Sequence, residues 1–211
     1  MRFFFSSHFF AGLLLLFVAF VTLAAFSACV HKRGDATAGI EVLRSGGFVP
    51  PDVNADIAGV VYVNVRDKSD MVFGLRAKLE TSLAESGFSV TSNPSKAGYI
   101  VHPTVLAVGA AEPDSLRAMV NEGYGGTSRL SGTGATILLT DVLLVQRRVP
   151  TSGRKNLQNI SNRNAVAESR MRLALLSRRE IRFNAGVPEY VMDVLVRELC
   201  ASVSAVHMAS R

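Results

Sequence analysis

The stretch Val60-Val61-Tyr62-Val63-Asn64-Val65 decides how the domain begins. Valines alternate along it and fall on one face, which is the pattern of a strand with one buried side. Directly afterwards, apolar residues recur at spacings of three and four, which predicts a helix with one apolar stripe. Ser69 or Asp70 is the expected N-cap, and Gly87 is the expected C-terminal stop. The stripe consists of Val72, Leu75, Leu79 and Leu83.

Two further strands are predicted after this helix. The first runs from Phe88 to Thr91 and is short, and the second runs from Tyr99 to Val108. Pro103 lies within the second strand. Because proline has no N–H to donate to a sheet, an edge position or a bulge is expected there. The sequence therefore predicts the order strand, helix, strand, strand.

The second half of the chain predicts a short helix followed by a long hairpin. Glu112-Pro113 opens the short helix, because proline is favourable in a first helical turn. A glycine-containing stretch from Gly123 to Gly134 then leads into a strand from Thr136 to Val149 that is apolar on both faces. The expected partner of this strand is the segment from Glu168 to Phe183.

The C-terminal end predicts an amphipathic helix that begins at Pro188. Cys200 lies beside its apolar stripe and is interpreted as a small buried hydrophobe. The predicted fold class is α+β: a small mixed sheet with packed helices, built from a strand-helix-strand-strand start, a long β-hairpin and this last helix. The stripe consists of Val191, Val194, Leu195, Leu199, Val203 and Val206.

The N-terminus has the three parts of a secretory signal. Arg2 is the positive start, Phe9 to Phe26 contains no charged residue, and Ser27-Ala28 are the small residues before a cut. Cys29 follows at once, which is typical of lipoproteins, whose first mature residue is an acylated cysteine. Residues 1–28 are therefore predicted to be a lipoprotein signal peptide. The open alternative is an uncleaved inner-membrane helix, since about 20 apolar residues span a bilayer.

Residues 29–58 are predicted to be a flexible tether to a single domain at 59–211. The tether has no sustained period and contains several glycines and the pair Pro50-Pro51. Val30 follows Cys29, in place of the aspartate that retains lipoproteins in the inner membrane, so the outer membrane is the expected location. Outer-membrane lipid is the expected partner, and the acyl lipid on Cys29 is the expected modification, with no cofactor.

No catalytic or metal-binding signature is found in the sequence. The patterns Gly-x-Ser-x-Gly, Gly-x-x-x-x-Gly-Lys and His-Glu-x-x-His are all absent. His102 and His207 have no cysteine or acidic cluster beside them that would complete a metal site. The glycines between 123 and 134 lack the lysine of a phosphate loop, so a plain flexible loop is expected. The sequence therefore predicts a protein that is not an enzyme and binds no metal.

Basic residues are concentrated in the predicted hairpin. From Arg147 to Arg182 there are ten basic and two acidic side chains, in a chain whose net charge is +6. One interpretation is a face that contacts lipid or lipopolysaccharide phosphates, and the other is a solvated face. Nucleic acid is disfavoured as a partner, because no aromatic residues are interleaved for base stacking. The candidate phosphate-facing residues are Arg147, Arg148, Arg154, Lys155, Arg170, Arg172, Arg178 and Arg179.

Several short stretches of the chain, taken in their order, resemble those of a known protein family. They are Val61 to Val65 with Asp67 to Met71 after it, Glu85 to Pro94, Ala97 to Tyr99, Asn121 to Gly126, and Thr140 to Val142. With these residues in this order, the chain resembles the TraT family of outer-membrane lipoproteins over most of residues 59–206. It departs from the family in lacking most of a long Gly- and Ala-rich membrane segment after Gly126.

The resemblance implies a non-enzymatic lipoprotein that acts in surface exclusion during conjugation, in complement resistance, or in both. It also implies a ring-like homo-oligomer. The alternative, from another functional class, is a lipid-anchored accessory subunit of an envelope transport or secretion complex that docks other envelope proteins. Accessibility of the domain from outside the cell separates these two hypotheses.

Overall fold

The computed structural model describes residues 39–50, 57–148, 165–177 and 186–210. The predicted signal peptide, Cys29 and the first part of the predicted tether lie outside these ranges. Within the ranges, no helix is both long enough and apolar enough to cross a membrane.

The described residues form seven strands and three α-helices. The strands are β1 (Ile40–Arg44), β2 (Val60–Val63), β3 (Arg66–Asp67), β4 (Ser89–Val90), β5 (Tyr99–Ala111), β6 (Ala135–Arg147) and β7 (Ala165–Ser177). The α-helices are α1 (Leu75–Glu85), α2 (Pro113–Asn121) and α3 (Glu189–Ala209), and Pro94–Lys96 form a turn of 3-10 helix.

The seven strands form one mixed sheet in the order β1-β7-β6-β5-β2-β4, with β3 also paired to β5. The pairs of β1 with β7, β7 with β6 and β6 with β5 are antiparallel. The pairs of β2 and β3 with β5, and of β4 with β2, are parallel. This arrangement confirms the predicted α+β class, the long hairpin and the final helix.

The helices lie on both faces of the sheet. α1 and α3 pack on one face, where Leu79 and Leu83 are fully buried. All six residues of the predicted α3 stripe are buried, which confirms that prediction, and Cys200 is buried beside them. The shorter α2 packs on the other face, where Leu116 lies in a second cluster with Ile137.

The structure corrects the predicted tether. Ile40–Arg44 form the edge strand β1, which pairs antiparallel with β7. The chain then follows the hairpin, and the Val49 N–H donates to Ser169 Oγ at 3.0 Å. The folded unit therefore begins at Gly39 instead of residue 59. The strand was missed because its five residues do not alternate strictly between apolar and polar and are flanked by glycines and prolines, which are typical of a loop.

The start of α1 also differs from the prediction, which placed the N-cap at Ser69 or Asp70. The helix begins only after Gly74, which has a left-handed conformation with φ 73°. The residues before it form a turn around the Asp67 carboxylate, which accepts hydrogen bonds from the Ser69 N–H (2.9 Å) and the Val72 N–H (2.8 Å). Because this side chain binds backbone donors that a helix would use, the turn delays the helix.

Pro103 lies in an interior strand, so the expected edge position is wrong. The interruption between β2 and β3 lies opposite it in the register, which accommodates the missing N–H. The expected bulge is present nearby, as a register shift between Val105 and Ala107.

Candidate functional site

Two charged residues face each other inside the sheet. Asp141 of β6 and Arg172 of β7 are directly opposite in the antiparallel register. Their side chains are 7% and 0% exposed. The Arg172 Nε donates to Asp141 Oδ1 at 2.7 Å, and its Nη2 donates to Oδ2 at 3.1 Å. This is the bidentate geometry of a strong arginine–carboxylate pair.

The remaining N–H groups of Arg172 bind three backbone carbonyls. Nη1 donates to the Met119 carbonyl at 3.0 Å and to the Thr127 carbonyl at 2.9 Å. Nη2 donates to the Gly126 carbonyl at 3.0 Å. Together with the bonds to Asp141, these contacts use all five guanidinium donors. A buried charge is costly unless it is paired and hydrogen-bonded, and here both conditions are met.

Residues 122–127, named the glycine loop here, are the segment that Arg172 binds to the sheet. The Gly125 N–H donates to Asp141 Oδ2 at 2.9 Å, and Gly125 itself has φ 80°, which favours glycine. A Cβ at residue 126 would lie 2.7 Å from the Glu122 Cβ and 3.1 Å from the Arg172 Nη1. The glycines therefore allow the loop to pack closely against the buried ion pair. The plain flexible loop expected from the sequence is wrong for these residues.

The glycine loop places Tyr124 at the surface, where it is 40% exposed. The Arg170 Cζ lies 5.3 Å from the centroid of its ring, within the range of a cation–π interaction. Arg170 also forms an ion pair with Glu168, with an Nη2–Oε1 distance of 2.6 Å. Tyr124 and Arg170 together are called the Tyr124–Arg170 surface below. Tyrosine and arginine are enriched among the residues that dominate binding at protein interfaces.

The structure separates the predicted phosphate-facing residues. Arg172 is buried and paired, so it is not on a lipid-facing surface, which corrects that part of the prediction. Arg148 and Arg170 are exposed. Arg147 is half-buried: its Nε donates to the Ala97 carbonyl at 2.9 Å, and burial lowers its pKa. Cys29, Arg154, Lys155, Arg178 and Arg179 lie outside the described residues.

The two histidines of the domain have separate surroundings. His102 on β5 has a lowered pKa because of burial and the nearby positive charge of Arg66. The His207 Nδ1 lies 3.0 Å from the Tyr99 hydroxyl oxygen, and its ring packs against Phe88. In the part of the chain that the structure describes, no three Asp, Glu, His or Cys side chains are grouped as a metal site would require.

Asp141 and Tyr124 were not among the predicted site residues. A signal for the first was present, because Asp141 is the only charged residue between Ala135 and Gln146 in an otherwise apolar run. A carboxylate inside a buried strand is rarely left unpaired, so it indicates a partner. Tyr124 gave no such signal, since a tyrosine in a glycine-containing loop is compatible with any degree of burial.

Comparison with known proteins identifies a family for half of the chain. The family model described as Enterobacterial TraT complement resistance protein matches residues 48–153. A TraT complement resistance protein of Escherichia coli is 28% identical over 78 residues, which cover 36% of this chain and 32% of that protein. The chain therefore matches about a third of the length of this curated relative.

Two solved structures align with most of the chain at low sequence identity. A PelC dodecamer from Paraburkholderia phytofirmans is 12% identical, with a TM-score of 0.36, and the alignment covers 79% of this chain and 96% of that one. A DUF4136 family protein from Bacteroides thetaiotaomicron is 10% identical, with a TM-score of 0.39 and coverage of 80% and 97%.

Proposed function

Because this chain belongs to the TraT family of complement resistance proteins, we propose that it is a non-enzymatic lipoprotein of the outer membrane, held there by acyl chains on Cys29. Its proposed role is surface exclusion during conjugation, complement resistance, or both. The observation that carries the proposal is the family match over residues 48–153, which includes α1, β5, α2, the glycine loop and β6.

The lipid anchor is supported by the N-terminal sequence. A positive start, an uncharged run from Phe9 to Phe26 and small residues directly before Cys29 fit a lipoprotein signal. Two or three acyl chains would hold the domain stably on the membrane, since each buried CH₂ contributes about 0.8 kcal/mol. An intact mass of the membrane-extracted protein tests this, because cleavage and acylation change it in a defined way. A full-length unmodified chain would instead support the uncleaved inner-membrane helix.

We place the contact with outside proteins at the Tyr124–Arg170 surface. The glycine loop is hydrogen-bonded to the buried Arg172–Asp141 pair, so its shape is set before any partner arrives. A surface that is already ordered loses less conformational entropy on binding. Tyr124 offers an aromatic ring and Arg170 a planar cation, so we expect a partner surface with acidic and apolar groups.

A homo-oligomer is part of the same proposal and rests on the family resemblance. Chemical cross-linking of the membrane-bound protein measures it directly. The exposed Arg148 remains a candidate for contact with lipid or lipopolysaccharide phosphates, whereas Arg170 is assigned to the contact with outside proteins instead. Arg172 takes no part in such a contact, because its donors are already used.

The functional test uses recipient cells that express the full chain. Two quantities are measured: the frequency of conjugative plasmid transfer into these cells, and their survival in serum. The wild-type chain should lower transfer, raise survival, or do both. The double variant Tyr124→Ala with Arg170→Ala should lose most of that effect while remaining in the outer membrane.

The matched control is Met208→Ala, because Met208 is also exposed, at 71%, but lies at the end of α3. It should retain the wild-type effect. A wild-type chain without influence on transfer or survival would overturn the proposed role. A double variant that behaves as the wild type would leave the role in place and overturn the assignment of the surface.

Protease added to intact cells distinguishes the accessory-subunit alternative. A domain that acts on mating cells or complement should be cut from outside, whereas a domain facing the periplasm should be protected until the outer membrane is permeabilised. Protection in intact cells would favour an accessory subunit of an envelope complex over surface exclusion.

A further inference from the structure

Phe73 is a large apolar side chain that the fold leaves in water. It lies in the loop between β3 and α1 and is 69% exposed. Its neighbour Val72, by contrast, is buried in the core of the domain. An exposed phenylalanine in a soluble protein is common, so its meaning depends on how it is held and on what lies near it.

The loop around Phe73 is held in place on both sides. On one side, the Asp67 carboxylate accepts hydrogen bonds from the Ser69 hydroxyl at 2.6 Å and from the Val72 N–H at 2.8 Å. On the other side, the Val187 N–H donates to the Met71 carbonyl at 2.8 Å. The loop therefore holds the ring outward while the next turn begins α1.

Phe73 lies at the end of the domain where the chain arrives from the N-terminus. Its ring is so close to Gly186 that a Cβ there would lie 3.0 Å from two ring carbons. Gly186 lies three residues before α3, whose first turn brings Val191 to a small cavity that Ile40 of β1 also lines. The exposed ring and the start of β1 are thus at the same end of α3.

The length of chain before β1 limits how far this end can be from the anchor. Cys29 and Ile40 are eleven residues apart, which span at most about 40 Å when fully extended. Met208 lies at the other end of α3, which is about 30 Å long for its 21 residues. Ile40 can therefore lie no more than about 40 Å from an acylated Cys29, whereas the Met208 end can lie about 30 Å farther away.

We propose that Phe73 inserts into the boundary between headgroups and acyl chains of the leaflet that holds the Cys29 lipid. The inference rests on the lipid anchor of the proposed function. Attachment through Cys29 raises the effective concentration of the ring near the membrane surface, so a contact that one apolar side chain would make only weakly on its own is strengthened. This contact fixes the orientation of the domain, with the Phe73 end toward the membrane.

The absence of tryptophan from the chain makes the test direct. Phe73→Trp introduces a single tryptophan at a site that is already aromatic and exposed. The full acylated chain carrying this variant is reconstituted in phosphatidylethanolamine and phosphatidylglycerol vesicles. In these vesicles, its emission should shift to shorter wavelength, and brominated acyl chains should quench it. Lys68→Trp, an exposed position in the same loop, is a second reporter.

Met208→Trp is the matched control, because Met208 is 71% exposed and lies at the far end of α3. Its emission should remain that of a tryptophan in water, without quenching by brominated lipid. Thermal unfolding of each variant in detergent confirms that it folds as the wild type does.

The intact mass of the same preparation separates two kinds of failure. An acylated chain in which tryptophans at 73 and 68 both emit as in water would overturn the inference and leave the lipid anchor in place. An unacylated chain would overturn the anchor and the inference together. Equal quenching at 73 and 208 would overturn the proposed orientation, since the domain would then lie flat on the membrane.

Discussion

Arg170 and Arg172 are two residues apart on the same face of β7, yet their surroundings are opposite. Arg172 lies opposite Asp141 in the sheet and is buried beneath the glycine loop. Arg170 lies opposite Leu143, is exposed, and contacts the ring of Tyr124. One cation therefore stabilises the interior, and the other is available at the surface.

The difference between them comes from the neighbouring strand and not from the sequence of β7. A carboxylate across the strand allows a charge to be buried, whereas an aliphatic residue there does not. A count of basic residues along a hairpin consequently overstates the charge of its surface. The substitution with the largest expected effect on stability removes the buried cation of Arg172.

Arg172→Ala is expected to have the strongest effect on stability. It leaves Asp141 buried without its cation and three carbonyls without their donors. The free energy of unfolding should fall by about 3–5 kcal/mol. Urea denaturation followed by circular dichroism measures this change.

The double variant Arg172→Met with Asp141→Leu separates charge from packing. Removing both members of a buried pair is often nearly neutral, so this protein should be more stable than Arg172→Ala. This double variant should still be less stable than the wild type, since Gly125 and Gly126 no longer have hydrogen-bond partners on the sheet. If it were no more stable than Arg172→Ala, an unpaired Asp141 would not be the cause of the loss.

Asp67 is a second carboxylate with close partners, but hydrogen bonds stabilise it where an arginine stabilises Asp141. Burial raises the pKa of Asp67. The side-chain hydrogen bond from Ser69 and the backbone hydrogen bonds from Val72, Ser69 and Met71 lower it by more, so the pKa lies below its usual value. A lowered pKa means that the carboxylate stabilises the fold above the unfolded pKa of about 3.9. This stability is lost as the pH falls through the lowered folded pKa.

Asp67→Asn should therefore lower the free energy of unfolding by about 1 kcal/mol at neutral pH, because hydrogen bonds to a charged group are replaced by weaker ones. The gap between wild type and variant should close as the pH falls through the folded pKa of Asp67. Urea midpoints measured between neutral and acidic pH follow this gap. A gap that stayed constant over the whole range would contradict the assignment to this carboxylate.

Arg170→Ala is expected to have the smallest effect on stability of these variants. An exposed cation–π interaction contributes about 0.5–1 kcal/mol, and the exposed ion pair with Glu168 adds little. The urea midpoint should therefore change only slightly, while that of Arg172→Ala changes greatly. Similar losses in the two variants would remove the distinction between a surface cation and a structural one.

The elements with strong periodicity could be predicted from the sequence. The α3 stripe and the long hairpin follow from residue spacing alone, and both are present. β1 and the Asp67 turn could not be predicted in this way. β1 is a strand of five residues that is stabilised by a partner strand 129 to 137 positions later, and the turn depends on one side chain binding local backbone donors.

The partner of Asp141 could not be predicted because it depends on strand register. The connection between β6 and β7 runs from residue 148 to 164, and a connection of that length does not fix which residues face each other. A shift by one residue would place Arg172 opposite Thr140 or Val142, neither of which carries a charge. The sequence indicates that Asp141 needs a partner, but only the fold identifies it.

β1 covers the outer backbone edge of β7 from Leu173 to Ser177. A recombinant protein that starts at residue 59 would lack it and would expose a row of unpaired N–H and C=O groups on a largely apolar strand. Such an edge is a template for pairing with another chain, so this shortened protein should aggregate, whereas one that retains residues 39–50 should not. β1 thus protects the sheet against intermolecular growth.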